Sequence, residues 1–555
     1  MKRILSFLAL FLVAGMCVGI AQRNGKKRKP VSDNTASPKL IVGIVVDQMR
    51  YDYLTRFWNH YSEGGFKRMV SQGFNCKNHH FNYAPTSTGP GHASVYTGAT
   101  PSMHGIIGNN WYDKVQGESV YCASDDAFES VGTSGDAGKM SPHRMLTTTM
   151  TDQLRLHTQM RGKVIAVALK DRGAVLPGGH TANAAYWFEG GSTGNWITSS
   201  YYMDALPQWV SDFNSSDAVE AYKKPWTTLK PINTYLESGP DANSYEGKFQ
   251  GETSTVFPHD LPKLWDENGK FNLLRITAYG NSMTTDFALA ALEGEDLGKD
   301  DITDFLAISY SSTDYVGHFF GVNSKEVQDT YLRLDNDLER LFNTLDKDVG
   351  EGEYTVFLTA DHGAINVPAY LFDQKIPAGY LNNNAQKQRF EAFLKYRYGT
   401  TDIVKDISNN QVFLDHKVIG NLDMDLDDVQ EEIAMELLGY DNVYKVYTAH
   451  QMWHTNYTSG LPYILQNGWN QKRSGDILLV PRPGFASYSR TGSTHGSPMV
   501  YDTHVPLLLF GKGIKKGNTA ERTEIPDIAP TISVLLGMAF PNGVTGEPIS
   551  EALKN

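Results

Sequence analysis

At 555 residues, with 41% hydrophobic residues and only 20% charged ones, the chain has an ordinary globular composition. It is long enough for a substantial core with inserted segments. A net charge of -12 excludes nucleic acid and anionic membrane as general partners, because like charges repel.

Met1-Lys2-Arg3 followed by ILSFLALFLVAGMCVGIA reads as a secretory signal over residues 1–21, with small residues at Gly19 and Ala21 for cleavage. The mature chain is therefore expected to be periplasmic or secreted, with no membrane span after cleavage. An uncleaved single-span anchor is the alternative, since the apolar stretch reaches the lower limit for a span. Cys17 follows Met16, so the usual lipoprotein pattern is imperfect. Residues 22–37, rich in Lys and Arg, read as a disordered basic linker, and 38–555 as the folded domain.

Apolar runs near 40–47, 163–170, 304–311, 354–360, 476–481 and 505–510 alternate with helical stretches, the pattern of an α/β core with a mostly parallel sheet flanked by helices. After Asn323, SKEVQDTYLRLDNDLERLFNTL predicts a helix. Glu326, three residues on from Asn323, resembles a capping box, and Val327, Tyr331, Leu334, Leu338, Leu341 and Leu345 form the buried stripe. Placed between two strands, this helix is a crossover connection. Stretches near 178–300 and 364–475, rich in aromatics, Gly and Asn, read as inserted cap segments that wall a site, though solvated decoration stays open. No internal repeat is visible.

Asp47 closes LIVGIVVDQMR, Asp314 and His318 follow the run in DFLAISYSSTDYVGH, and Asp361 and His362 end YTVFLTADHG. These are carboxyl ends of strands, where open α/β sheets place ligands. Any one of them alone reads as a cap or a solvated loop residue. Five potential ligands at three strand ends point instead to metal. Mixed carboxylate and imidazole donors suit zinc better than magnesium or calcium, and without a thiolate the coordination is open and catalytic.

In YAPTSTGPGHASVYTG, Thr88 precedes Gly89-Pro90-Gly91, a tight turn into a helix whose first N–H groups face the Thr88 oxygen. A threonine hydroxyl becomes a useful nucleophile only when a metal or base draws off its proton. That Thr88 merely caps the helix is the competing reading. Lys170 and Arg172, at the end of KVIAVALKDR, are two apart and so project to one side of a strand end, where both cations can converge on one anion. A solvated basic strand end is equally compatible.

VVDQMRYDYL, NYAPTSTGPGHASVYTGATPSMHGIIGNNWYD, VALKDRGAVLPGGHTANAAYWF, STDYVGHFFG, TADHGA, GSTHGSPMVYDTHVPLLLFG and DIAPTISVLLG together resemble the alkaline phosphatase superfamily, most closely its bacterial phosphate-irrepressible, PafA-type members, which use a threonine nucleophile. The resemblance covers nearly the whole chain after the leader and implies an alkaline phosphatase-like α/β core. It implies two zinc ions, one held by Asp47, Asp361 and His362 with Thr88, the other by Asp314, His318 and His495. The assignment of His495, in RTGSTHGSPMVYD, rests mainly on this resemblance. Asn109, in GIIGNNWYD, Lys170 and Arg172 match the family's phosphate-binding groups, with backbone N–H groups near Gly89 beside them.

The implied reaction is hydrolysis of small phosphate monoesters through a phosphothreonine, in a chain expected to be monomeric. Three aspartates and a Thr88 alkoxide roughly neutralise two zinc ions, which leaves Lys170 and Arg172 for a dianionic phosphoryl group and favours monoesters over diesters. A diesterase or phosphotransferase of the same superfamily and a non-catalytic zinc- and phosphate-binding surface protein stay as alternatives. A sulfatase is disfavoured because the formylglycine motif is missing at the nucleophile turn. Whether Cys76 and Cys122 pair is left undecided, since spacing alone does not place two thiols together.

Overall fold

A computed structural model describes residues 37–381 and 384–554, so the leader and all but Ser37 of the basic linker lie outside the described residues. Ten strands form one sheet: β1 Leu40–Val46, β2 Phe74–His80, β3 Ser130–Val131, β4 Val164–Ala168, β5 Ala184–Gly190, β6 Asn195–Ser199, β7 Asp304–Tyr310, β8 Tyr354–Thr359, β9 Leu507–Gly511 and β10 Gly517–Glu524. Their spatial order is β10-β2-β9-β8-β1-β7-β4-β5-β6-β3. The middle five, β8-β1-β7-β4-β5, run parallel. Every residue of β1 is buried, as expected of a strand covered on both faces.

The register decides where the chemistry falls. Val45 pairs with Thr359, and Val46 with Tyr310, so β1, β7 and β8 end level with one another. Neighbouring strands are about 4.8 Å apart. Asp47, the segment leading to Asp314, and Asp361 therefore leave the sheet side by side.

Five helices frame that edge: α1 Thr88–Thr97, α2 Asp171–Gly178, α3 Tyr279–Gly294, α4 Ser312–Phe320 and α5 Lys325–Leu345. All ten residues of α1 are buried. Its Tyr96 hydroxyl donates to the Gly43 carbonyl of β1 at 3.3 Å, and a Cβ at Gly43 would stand 2.6 Å from that hydroxyl. Only glycine in the middle of β1 lets α1 sit this close. The stripe expected on α5 is buried throughout, and α5 connects the segment after β7 to β8.

Three expectations are corrected. The cap of α5 is Ser324, whose hydroxyl accepts from Val327 N–H at 3.1 Å. Asn323 instead bonds Asn366 and Arg56, and Glu326 is buried against His259. The run at 476–481 is a strand, Ile477–Pro481, but it belongs to a separate four-stranded sheet with Val404–Ser408, Gln411–Leu414 and Val443–Thr448. Its apolarity serves a second core built around Phe390, Val412, Ile433 and Ile477; an apolar run signals burial, not which sheet it joins. Lastly, β5, β6 and α3 lie inside the stretch 178–300, yet both strands extend the main sheet and α3 packs on β7. Cys76 and Cys122 are both buried free thiols.

Candidate active site

Six of the expected ligands resolve into two groups, within each of which the donor atoms lie no more than 4.8 Å apart: Asp47, Asp361 and His362, and Asp314, His318 and His495. In the first, His362 Nε2 is 3.6 Å from both Asp47 Oδ1 and Asp361 Oδ2. In the second, Asp314 Oδ1 is 3.1 Å from His318 Nε2 and 3.8 Å from His495 Nε2. Asp314 and His318 share one face of α4 because they are four residues apart.

The imidazoles are oriented alike. His318 Nδ1 meets the Ser493 carbonyl at 2.7 Å, His495 Nδ1 that of Thr86 at 2.7 Å, and His362 Nδ1 that of Gly363 at 3.0 Å. A carbonyl only accepts, so each Nδ1 carries a proton and each Nε2 is the ring atom turned towards the carboxylates, the orientation a metal needs. Burial pushes His362 down to about 3 and His495 well below the ordinary imidazole value. For His318, burial works the same way but the Asp314 carboxylate outweighs it and raises the pKa.

Asp47 Oδ1, Asp361 Oδ2 and His362 Nε2 are buried without hydrogen-bond partners. Burying one unpaired polar atom costs about 1–3 kcal/mol, so three converging on one point form an arrangement that a cation stabilises. Burial, then the neighbouring Asp47, raises Asp361 well above the carboxylate range, the repulsion a bound cation relieves. Two oxygens and a nitrogen in one group, one oxygen and two nitrogens in the other, fit zinc.

Lys170 and Arg172 do not end a strand. β4 stops at Ala168; Lys170 is the residue before α2 and Arg172 the second residue within it, so the alternation argued for them does not apply. The Lys170 ammonium, 4% exposed, donates to Asp47 Oδ2 at 2.6 Å and Asp314 Oδ2 at 2.5 Å, one carboxylate from each group. Arg172 Nη1 donates to the Tyr121 hydroxyl at 3.1 Å, which in turn donates to Asp171. Arg172 Nε is buried without a partner.

Thr88 is the first residue of α1. Ser87 holds the cap position, and its side chain makes no cap hydrogen bond, so the cap reading of Thr88 fails. Helix and ligands are tied together one turn later. His92 Nδ1 lies 2.9 Å from the Thr88 carbonyl and 3.4 Å from Asp361 Oδ2, while its Nε2 bonds Ser309. A Cβ on Gly91 would stand 2.3 Å from the Asp361 carbonyl oxygen, a contact only glycine allows. Asn109 Oδ1 accepts from Gly89 N–H at 2.7 Å. With its oxygen engaged there, the Asn109 amide has its two N–H groups left to offer an anion.

Over this edge sits the smaller sheet. The hairpin tip joining Val404–Ser408 to Gln411–Leu414 sends Asn409 Nδ2 to the Asn110 carbonyl at 2.7 Å. Between core and cap lies a cavity of about 1090 Å³, with Ser87, Asn109 and His495 on the core side and Phe390, Lys405 and Tyr440 across from them. The sequence reading missed Gln48, His92 and Tyr121. Position alone could have flagged the first two, one directly after Asp47 and one a helical turn after Thr88; nothing in the sequence marked Tyr121.

Residues 41–505 match the family described as type I phosphodiesterase / nucleotide pyrophosphatase. The chain is 44% identical over 550 residues to the alkaline phosphatase PafA of Elizabethkingia meningoseptica, covering 98% of each. It is 46% identical over 528 residues, 94% of this chain and 96% of the relative, to a Myroides odoratus protein named calcium-transporting ATPase. A crystal structure of wild-type PafA superposes with a TM-score of 0.90 at 45% identity, over 93% of this chain and 99% of that one.

Proposed function

The chain belongs to the type I phosphodiesterase / nucleotide pyrophosphatase family of the alkaline phosphatase superfamily and is an alkaline phosphatase of the PafA type; from that premise we propose a monoesterase with two resident zinc ions and a covalent phosphothreonine at Thr88. The observation that carries it is the pair of ligand groups, one of them with three unpartnered buried donor atoms, beside the start of α1. Asp47, Asp361 and His362 would hold one ion, and Asp314, His318 and His495 the other. Zinc, when bound, supplies Lewis-acid polarisation and neutralises charge.

The residues divide the remaining work. Thr88 Oγ1 forms the new bond to phosphorus in line with the departing ester oxygen, giving phosphothreonine and free alcohol. Water then attacks the phosphothreonine, releasing inorganic phosphate and restoring Thr88. The Asn109 NH2 group, turned outward because its oxygen accepts from Gly89 N–H, takes a phosphoryl oxygen, a preorganised oxyanion contact beside the positive end of α1. Arg172, with its unpartnered Nε, adds the positive charge that a dianionic monoester needs and a diester needs less. Lys170 balances Asp47 and Asp314 from between the two groups.

The cavity under the small sheet gives the leaving group room, which supports a broad range of alcohols. ATP hydrolysis, as the Myroides relative's name carries it, fits the same site, since a nucleoside triphosphate ends in a phosphoryl dianion. In the exported setting expected from the leader, the enzyme would release phosphate from small esters outside the cytoplasm.

A panel of aryl monoester, methyl aryl diester and aryl sulfate, assayed beside metal analysis of the same sample, tests this. Monoester turnover should lead with zinc present. Faster diester turnover would move the chain to the diesterases of its family, and a metal-free active sample would overturn the zinc assignment.

A further inference from the structure

Gln48 follows Asp47 at the end of β1 with φ at +64°, a left-handed backbone that only a few per cent of non-glycine residues adopt and that persists where its surroundings hold it. It is 2% exposed, and its backbone and side-chain nitrogens both donate. The backbone N–H donates to Asp361 Oδ1 at 3.1 Å, and the side-chain Nε2 donates to Asp314 Oδ1 at 2.6 Å. The amide oxygen packs on α4, where a Cβ added to Gly317 would fall 1.9 Å from it. Glycine between Asp314 and His318 thus leaves a slot for the amide, and the seated oxygen turns the NH2 group towards Asp314.

Gln48 therefore touches a carboxylate of each ligand group through a different part of itself. On Asp361 it occupies Oδ1, leaving Oδ2, the oxygen without a partner, facing His362. On Asp314 it engages the oxygen that faces His318 and His495. Outer donors of this kind fix the orientation of a ligating carboxylate, and their loss typically weakens metal binding about 10–100-fold.

We propose that Gln48 is a positioning residue that sets zinc affinity unequally, its side chain governing only the Asp314–His318–His495 group while its backbone N–H serves the other. The inequality follows from the covalent structure, because every substitution except proline keeps the N–H. This rests on the two-zinc reading above.

The test is zinc release from the holoenzyme to a competing chromophoric chelator, comparing the parent with Gln48→Met, of similar length but without a donor, and with Gln48→Glu, which adds a negative charge beside Asp314. The parent should give up two zinc ions. In Gln48→Met one of them should bind about 10–100-fold more weakly and the other as in the parent, with kcat/KM largely restored at saturating zinc. Gln48→Glu should shift the same ion, and in an Asp314→Asn background neither substitution should have a further effect. A parent without two zinc ions sinks the metal reading itself. Parent-like release from Gln48→Met, or equal weakening of both ions, overturns the role of Gln48 alone. Thermal melts of the zinc-loaded variants separate these results from misfolding.

Discussion

The imidazoles of His362 and His495 are stacked, ring centroids 3.4 Å apart and planes 13° from parallel, although one belongs to each ligand group. The two groups thus share a wall made of their own ligands. Lys170, bonded to Asp47 and Asp314, ties them a second time.

Metal removal comes first. A strong chelator should lower monoester turnover to below about 1% of the starting rate, and zinc should restore it, with about two ions per chain. Plasma emission analysis of the dialysed protein checks the count. Undiminished turnover in a stripped sample would require a metal-free mechanism.

Thr88→Ala should lose nearly all turnover, whereas Thr88→Ser keeps a measurable part because the hydroxyl survives. An acid quench during turnover should yield a peptide phosphorylated at Thr88, read by mass spectrometry. Parent-like rates from Thr88→Ala would make water the direct nucleophile.

Arg172 offers a cleaner specificity probe than Lys170, whose removal would unpair two ligand carboxylates. Arg172→Ala should lower kcat/KM for an aryl monoester about a hundredfold, from roughly 2–4 kcal/mol of lost transition-state contact, and for a methyl aryl diester far less. Tyr121→Phe, which takes the hydroxyl from the Arg172 side chain, should move the same ratio in the same direction by a smaller factor. Equal losses on both substrates, with zinc content unchanged, would refute the assignment.

A buried cluster away from the site sets a pH dependence of stability. Burial alone would lower His259, but hydrogen bonds to Glu252 and Glu326 outweigh it and raise the pKa from the ordinary 6.5 to about 9. Because the folded value lies above the unfolded one, this stabilisation is complete below 6.5 and lost as pH rises through 9. Glu246, raised to about 9 by burial and then by Glu326, acts in the same sense. Parent and His259→Gln, both zinc-saturated, should therefore differ most in unfolding free energy below about pH 6.5, the gap shrinking by up to roughly 3 kcal/mol towards pH 10. A gap that stays constant or widens over that range would contradict the charged pairing.

Much of the site was legible because parallel sheets place polar groups at strand ends. Asp47, Asp361 and His362 each follow an unbroken apolar run, and the run itself said where they would stand. Asp314 and His318 were legible as residues after an apolar run, although they stand one turn apart on the helix that follows it. His495 carries no such local mark, since a Gly- and Ser-rich loop looks the same whether or not it folds onto a metal group, and the family resemblance supplied it. Lys170 and Arg172 were identified but misread as strand residues, because alternation and a helix start are indistinguishable over three residues. The 476–481 strand failed for a different reason: periodicity reports burial, while sheet membership depends on contacts distant in sequence.

The strand ends that β1, β7 and β8 bring level supply donors from very different places in the chain. One ligand group is covalently complete once synthesis passes His362, the other only after His495, more than a hundred residues later. A nascent chain at intermediate length thus carries a finished trio of donors beside an unfinished one whose aspartate and first histidine are already in place. His495, whose ring stacks on His362, is thus the last of the six donors in chain order, and any truncation before it leaves one group short of a donor while the other stays whole.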